Sequence, residues 1–159
     1  MTIEEQVRQA TIAAMKAREA ERTTTLRMVT AALKNKAIEK RAKSPEPLTE
    51  AEAQQVLAGM IKQRRDSVEQ FTAGNRPELA AKETAEIAIL EEFLPKALSP
   101  EALQALVQEA VAEVAAASGQ KPTAREMGQV MKAVQARLAS GGHRAEGRVV
   151  SEAVKAALA

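Results

Sequence analysis

Residues 49–74 read TEAEAQQVLAGMIKQRRDSVEQFTAG, and the fold class turns on how that stretch is parsed. Thr49 followed three residues later by Glu52 is a capping box, in which hydroxyl and carboxylate satisfy orphan N–H groups at the start of a helix. Leu57, Ile61, Val68 and Phe71 recur at steps of four, seven and three, so they share one face of a long helix running to Ala73. Gly74 then ends it in the C′ role. The middle slot of that seam is Arg64. A guanidinium where the pattern asks for an apolar side chain needs a partner if it enters the protein.

The same signals extend in both directions. Thr2 with Glu5 opens a first helix to about Ala20, with Ile3, Val7, Ala10, Ala14 and Ala17 facing inward. A second helix, from about Arg22 to Lys43, presents Leu26, Val29, Leu33 and Ala37. Ser44-Pro45-Glu46-Pro47 breaks it, because proline lacks a donor and restricts the residue before it. Pro77 suits the first position of a fourth helix that continues to about Phe93. Residues 1–94 are therefore expected to form an antiparallel four-helix bundle.

Pro95 and Ser99-Pro100 bracket a joint, and residues 95–159 are expected to form a smaller three-helix subdomain. Ser99 caps a fifth helix with Leu103, Leu106, Val107, Ala110, Val111 and Val114 inward, ended by Ser118-Gly119. Thr123 with Glu126 starts a sixth helix bearing Met127, Val130, Met131, Val134 and Leu138, and Gly141-Gly142 stops it. A short seventh helix begins near Gly147 and carries Val150, Val154 and Leu158. The expected class is all-α, four helices and then three.

Composition closes off several functions. The chain of 159 residues has no cysteine and one histidine, and 34 of its residues are alanine. Disulfides, thiolate catalysis, Cys-ligated zinc and a metal site built on paired imidazoles are excluded, and no cofactor is expected. No apolar run approaches the roughly 20 residues of a membrane span. The acidic start at Met1-Thr2-Ile3-Glu4-Glu5 opens a helix and is unlike a signal peptide, so a cytoplasmic protein is expected. Net charge is +2, with 15 basic and 15 acidic side chains in residues 1–94 and 8 against 6 in the remainder. That balance, with only two phenylalanines for stacking, argues against indiscriminate nucleic-acid binding.

Four features remain as candidates. Arg64 is expected to pair with Glu86 on the fourth helix, with Glu83 as the other possible acceptor. Such a pair serves either as a lock on helix register or, less simply, as a ligand contact. Beside it, Lys62 and Asp66, and likewise Arg65 and Glu69, stand at the spacing of surface pairs, although Lys62 and Arg65 one turn apart can also touch two phosphates. The second helix ends with Lys34, Lys36, Lys40, Arg41 and Lys43 against the single acid Glu39, which complements the helix dipole or receives phosphate. The loop Ser140–Arg148 holds Gly141, Gly142, His143, Arg144 and Arg148 before a helix. It is either a plain interhelical turn or a pocket for RNA backbone. The candidate RNA contacts are thus Lys34, Lys40, Arg41, Lys62, Arg65, His143, Arg144 and Arg148. No catalytic constellation stands out, since His143 has neither a cysteine nor an evident pocket.

Several stretches, in order along almost the whole chain, resemble the GatB/YqeY family, specifically its stand-alone YqeY-like members. They are Leu26-Arg27-Met28 with Ala32-Leu33-Lys34-Asn35, Lys62-Gln63-Arg64-Arg65-Asp66-Ser67, Glu86-Ile87-Ala88-Ile89-Leu90-Glu91-Glu92-Phe93-Leu94-Pro95, Met127-Gly128-Gln129-Val130-Met131 and Gly147-Arg148-Val149-Val150-Ser151-Glu152. The resemblance implies an all-helical pair of subdomains. It also implies kinship with the C-terminal tail of the GatB component of the glutamine-dependent aspartyl/glutamyl-tRNA amidotransferase, a tail that holds tRNA while amide chemistry happens elsewhere. A carbon–nitrogen ligase label with glutamine as amido-N-donor would be inherited from that larger enzyme, for this chain offers no glutaminase nucleophile. Three roles follow as expectations. The first is a non-catalytic tRNA-associated module, and the second an adaptor docking on an amidotransferase or synthetase. Off-seam Ile12, Met15 and Met28 would either supply an apolar stripe for that docking or pack between helices. The third role is the inherited ligase activity. A monomer is expected.

Overall fold

Side chains that close orphan N–H groups start three of the seven α-helices. In the computed structural model, which describes residues 1–159, Thr2 and Thr49 each form a complete capping box, with Glu5 and Glu52, at the heads of α1 (Ile3–Lys16) and α3 (Glu50–Ala73). Ser99 caps α5 (Pro100–Ser118) by accepting from the Ala102 N–H. Thr123 and Glu126 form a third box, but it heads a single 3₁₀ turn, Ala124–Glu126, that leads into α6 (Met127–Ser140). The other helices are α2 (Ala20–Arg41), α4 (Pro77–Glu91) and α7 (Gly147–Leu158). The protein is all-α, with seven helices.

Two helix ends depart from the sequence expectation, for one reason. The first helix stops at Lys16, not near Ala20, because Arg18 turns left-handed at φ 59°. Its N–H donates to the Met15 carbonyl and the Glu19 N–H to the Ala14 carbonyl, the paired bonds of a Schellman motif. The end of α3 repeats the motif. Gly74 is the C-cap at φ −82°, and Asn75, at φ 55°, takes the left-handed C′ place expected of the glycine. The Arg76 N–H reaches the Phe71 carbonyl there. A left-handed L-residue costs roughly 1–2 kcal/mol, and glycine offsets about 0.5–1 of any relief through its extra chain entropy. Arg18→Gly is therefore expected to stabilise by about 0.5 kcal/mol and Arg18→Ala not at all, read from urea midpoints.

The chain divides into two compact units, residues 1–94 and 95–159. In the first, α1 packs chiefly on α2 and α3 on α4. Leu26, Leu57 and Leu90 sit at its centre with no exposed surface, joined by Ile3, Val7, Val29, Leu33 and Ile61. Ala17, expected inward, lies past the last turn of α1 and is exposed. Thr23 and Thr25 are buried instead, and the Thr23 hydroxyl donates back to the Glu19 carbonyl, so it enters the interior with its polar group satisfied.

In the second unit α5, α6 and α7 pack on one another around Val107, Val130, Val134, Val150 and Val154. One element there has no counterpart in the sequence reading. Lys96–Ala97 (β1) and His143–Arg144 (β2) form a two-residue parallel pair. The Leu98 N–H extends it to the Arg144 carbonyl at 3.2 Å.

Candidate functional site

The charged residues singled out by the sequence separate into those engaged inside the fold and those left open. Arg64 occupies the α3 seam and meets α4, where its Nε donates to the Glu86 carboxylate at 2.9 Å. Both side chains are largely withdrawn from solvent, at 12% and 15% exposure. One terminal guanidinium nitrogen donates to the Met60 carbonyl at 3.2 Å, and the other lies 3.5 Å from the Met28 sulfur. Glu86, not Glu83, receives the charge. Three of the five N–H donors of this guanidinium are thus engaged within its own unit.

Arg65 does not pair with Glu69 at the helical spacing. It reaches across to Glu91 on α4, at 3.5 Å. Lys62 and Asp66 form no ion pair, and Lys62 stands exposed. Glu91 wins over Glu69 because tertiary packing of α3 on α4 brings it nearer than a neighbour on an exposed helix face holds itself.

Lys40 leaves the cationic run altogether. Its ammonium donates to the Pro47 carbonyl at 2.9 Å and to the Glu52 carboxylate at 2.7 Å, clasping the proline-broken connection between α2 and α3. At 14% exposure it is no phosphate contact. Lys36 lies 3.4 Å from Glu39. Lys34, Arg41 and Lys43 remain exposed, and none has a carboxylate partner.

The clasp carries a pH dependence. The hydrogen bond from Lys40, then the one from the Thr49 backbone N–H, holds the Glu52 carboxyl below its ordinary 4.5. Glu5 and Glu126 are lowered likewise, first by the Thr2 backbone N–H and by the Thr123 side chain respectively. A carboxylate whose folded value lies below its unfolded one adds stability that is complete above the unfolded value. That stability is lost as pH falls through the folded value. Urea midpoints are therefore expected to hold steady down to the ordinary carboxylate value of 4.5 and decline below it. Glu52→Gln should lower the neutral-pH midpoint and flatten the acid decline, and an unchanged slope would show the clasp to be idle.

In the second unit the glycine loop is less open than a phosphate cradle requires. His143 and Arg144 are committed to β2, and the Arg144 Nε donates to the Pro95 carbonyl at 3.1 Å. The His143 ring folds back over Gly141, where an added Cβ would meet it at 3.1 Å. Arg148 is highly exposed and pairs at 3.2 Å with Glu152 one turn on. A turn that ties β2 to β1 and launches α7 accounts for the whole stretch.

A groove of about 830 Å³ runs between α1 and α2, and of the candidate residues from the sequence it is lined by Lys34 and Ile12. Val7, Ile12, Ala31 and Leu33 contribute its apolar lining, and Arg8, Arg27 and Lys34 bring positive charge to it. Glu4 and Glu5 lie at it as well. Arg8 has no ion-pair partner, and Arg27 only rests a nitrogen 3.8 Å from the Met15 sulfur. Of the off-seam trio Ile12, Met15 and Met28, which are 48%, 51% and 45% exposed, only Ile12 lines this groove.

Comparison with known proteins places this arrangement among relatives. Three yeast proteins named Altered inheritance of mitochondria protein 41, mitochondrial, are similar to part of the chain. The one from Kluyveromyces lactis is 40% identical over 80 residues, 50% of this chain and 42% of its own length. Those from Lachancea thermotolerans and Saccharomyces cerevisiae are 36% and 33% identical over 81 residues, 51% of this chain and again 42% of theirs. The chain thus spans less than half the length of these relatives. No helix is long and apolar enough to cross a membrane. The model of the family described as Yqey-like protein matches residues 4–158, through both units and all seven helices, and the chain belongs to that family.

Proposed function

We propose that this protein is a non-catalytic helical module of the cytoplasm that associates with folded RNA, tRNA above all, in the manner of the related amidotransferase tail. The observation that carries the reading is the set Lys34, Arg41 and Lys43 along the last two turns of α2 and just beyond it. These are exposed cations without carboxylate partners, in a chain whose other α2 lysines are neutralised locally. Lys34 and Arg41 lie seven residues apart, so they share a helix face about 10 Å from end to end, a spacing suited to separate phosphates. Lys62 is a further open cation on α3. Lys40, Arg65 and Arg144 drop out of the contact set, because each is engaged within the protein, whereas Arg148 stays open with only a one-turn surface pair.

The carboxylates with lowered ionisation, Glu5, Glu52, Glu78 and Glu126, are each held down by a helix cap or a surface pair. Filter binding with total tRNA should show affinity falling with salt at a log–log slope of about 2–3, the value for three phosphate contacts. Arg41→Glu with Lys43→Glu should weaken binding roughly tenfold or more and reduce the slope by about 2. Binding indifferent to salt, or to this double substitution, would remove the proposal.

A further inference from the structure

We propose that Met28 is a site of reversible oxidation, at which a peroxide converts the thioether to a sulfoxide that Arg64 then holds. The geometry of the reduced side chain already suits the product. Met28, on α2, is 45% exposed. Its sulfur nevertheless accepts from a terminal guanidinium nitrogen of Arg64, on α3, at 3.5 Å. That guanidinium is fixed from two other sides, by the Glu86 carboxylate on α4 at 2.9 Å and by the Met60 carbonyl at 3.2 Å.

A thioether sulfur is a weak acceptor. Arg64, only 12% exposed, therefore aims a charged donor at a group that satisfies it poorly, where little water can make up the difference. A sulfoxide oxygen is a far better acceptor, and one added to this sulfur lies within hydrogen-bond reach of the same nitrogen. In the unfolded chain, thioether and sulfoxide alike meet water. The folded state thus gains from the oxidation. That reverses the usual result for a methionine packed in a core, where the new dipole finds no partner.

The step balances with hydrogen peroxide as oxidant. A sulfur lone pair attacks one peroxide oxygen, and the S–O bond forms as the O–O bond breaks. The departing hydroxide takes the remaining proton of the attacked oxygen and leaves as water. Two thiols reverse the change, giving a disulfide and water, as in methionine sulfoxide reductases.

The other methionines lack this arrangement. Met15 is similarly exposed, at 51%, but the nitrogen 3.8 Å from its sulfur belongs to Arg27, an exposed side chain that no carboxylate fixes. Met60, Met127 and Met131 are half-buried.

Peroxide treatment of the full chain, mapped by peptide mass spectrometry, should convert Met28 together with Met15 and ahead of half-buried Met60. Urea midpoints before and after treatment, in the parent and in Met28→Leu, isolate the effect of this one sulfoxide. It should raise the folded-to-unfolded ratio about fivefold, as for one ordinary hydrogen bond gained. The gain should vanish when Arg64→Met with Glu86→Leu removes the donor. Met28→Gln tests the same contact without an oxidant, since its amide oxygen stands in for the sulfoxide. Its stability relative to Met28→Leu should be higher by a similar factor with Arg64 present than in the background lacking it. Met28 left as the thioether while Met15 is converted, a midpoint unchanged or lowered by its oxidation, or a gain that persists without Arg64 would overturn the proposal. Binding of tRNA is tested on Arg41 and Lys43, so the two readings stand or fall separately.

Discussion

Glu86→Ala is expected to destabilise the first unit by about 3 kcal/mol, at the lower end for breaking a withdrawn ion pair. The substitution removes a carboxylate that accepts at 2.9 Å and leaves Arg64 with only the Met60 carbonyl and the Met28 sulfur. A guanidinium so stranded has lost its solvation and gained nothing in return. Removing both charges is a different matter. Arg64→Met with Glu86→Leu fills similar volume without a desolvation penalty, and is expected within about 1 kcal/mol of the parent on either side. Urea unfolding of the two singles and the double gives the coupling directly. A cost below about 1 kcal/mol for Glu86→Ala would mean that the arginine swings into water and the pair behaves as a surface bridge.

Leu57→Ala, two turns earlier on the same α3 seam, is expected to cost about 3–4 kcal/mol. Leu57 has no exposed surface and belongs to the cluster that holds Leu26, Val29 and Leu90. Truncation loses the transfer free energy of the removed carbons and leaves a cavity that three helices cannot all relax to fill. The mechanism therefore differs from that of Glu86→Ala, and no second substitution of the charge-removing kind rescues it. Hydrogen exchange of the most protected α1–α4 amides should accelerate about tenfold for each 1.4 kcal/mol lost. A loss under about 1 kcal/mol would show a loosely packed first unit, able to collapse around the deletion.

Together the two variants ask what one seam does at two of its positions. Leu57 contributes burial that does not depend on a particular partner. Arg64 contributes an ion pair between α3 and α4 that depends on one partner, Glu86. The same contrast frames the functional proposals. The residues proposed to meet RNA are those whose charge the fold leaves uncompensated.

The helix starts were legible at Thr2, Thr49, Ser99 and Thr123 because capping is settled within three residues of chain. The apolar seams were legible for the same reason: a period near 3.6 is a property of the helix itself. Seven helices and an all-α class follow from those two signals together with the proline and glycine breaks between them. What the sequence could not decide was anything that depends on which atoms meet across a gap. Arg18 turns left-handed although its residue type does not announce it, whereas Asn75 is of a type that enters that region readily. Lys40 sits twelve residues from Glu52 and Arg65 twenty-six from Glu91, so only packing could take them from the cationic set. The β1–β2 pair joins Lys96 to His143 through backbone groups, which carry no residue signature. Local hydrogen bonds and periodicity are written into short stretches of chain, whereas charge compensation is a matter of distance in space. Tertiary structure therefore decided which cations remain open to a ligand.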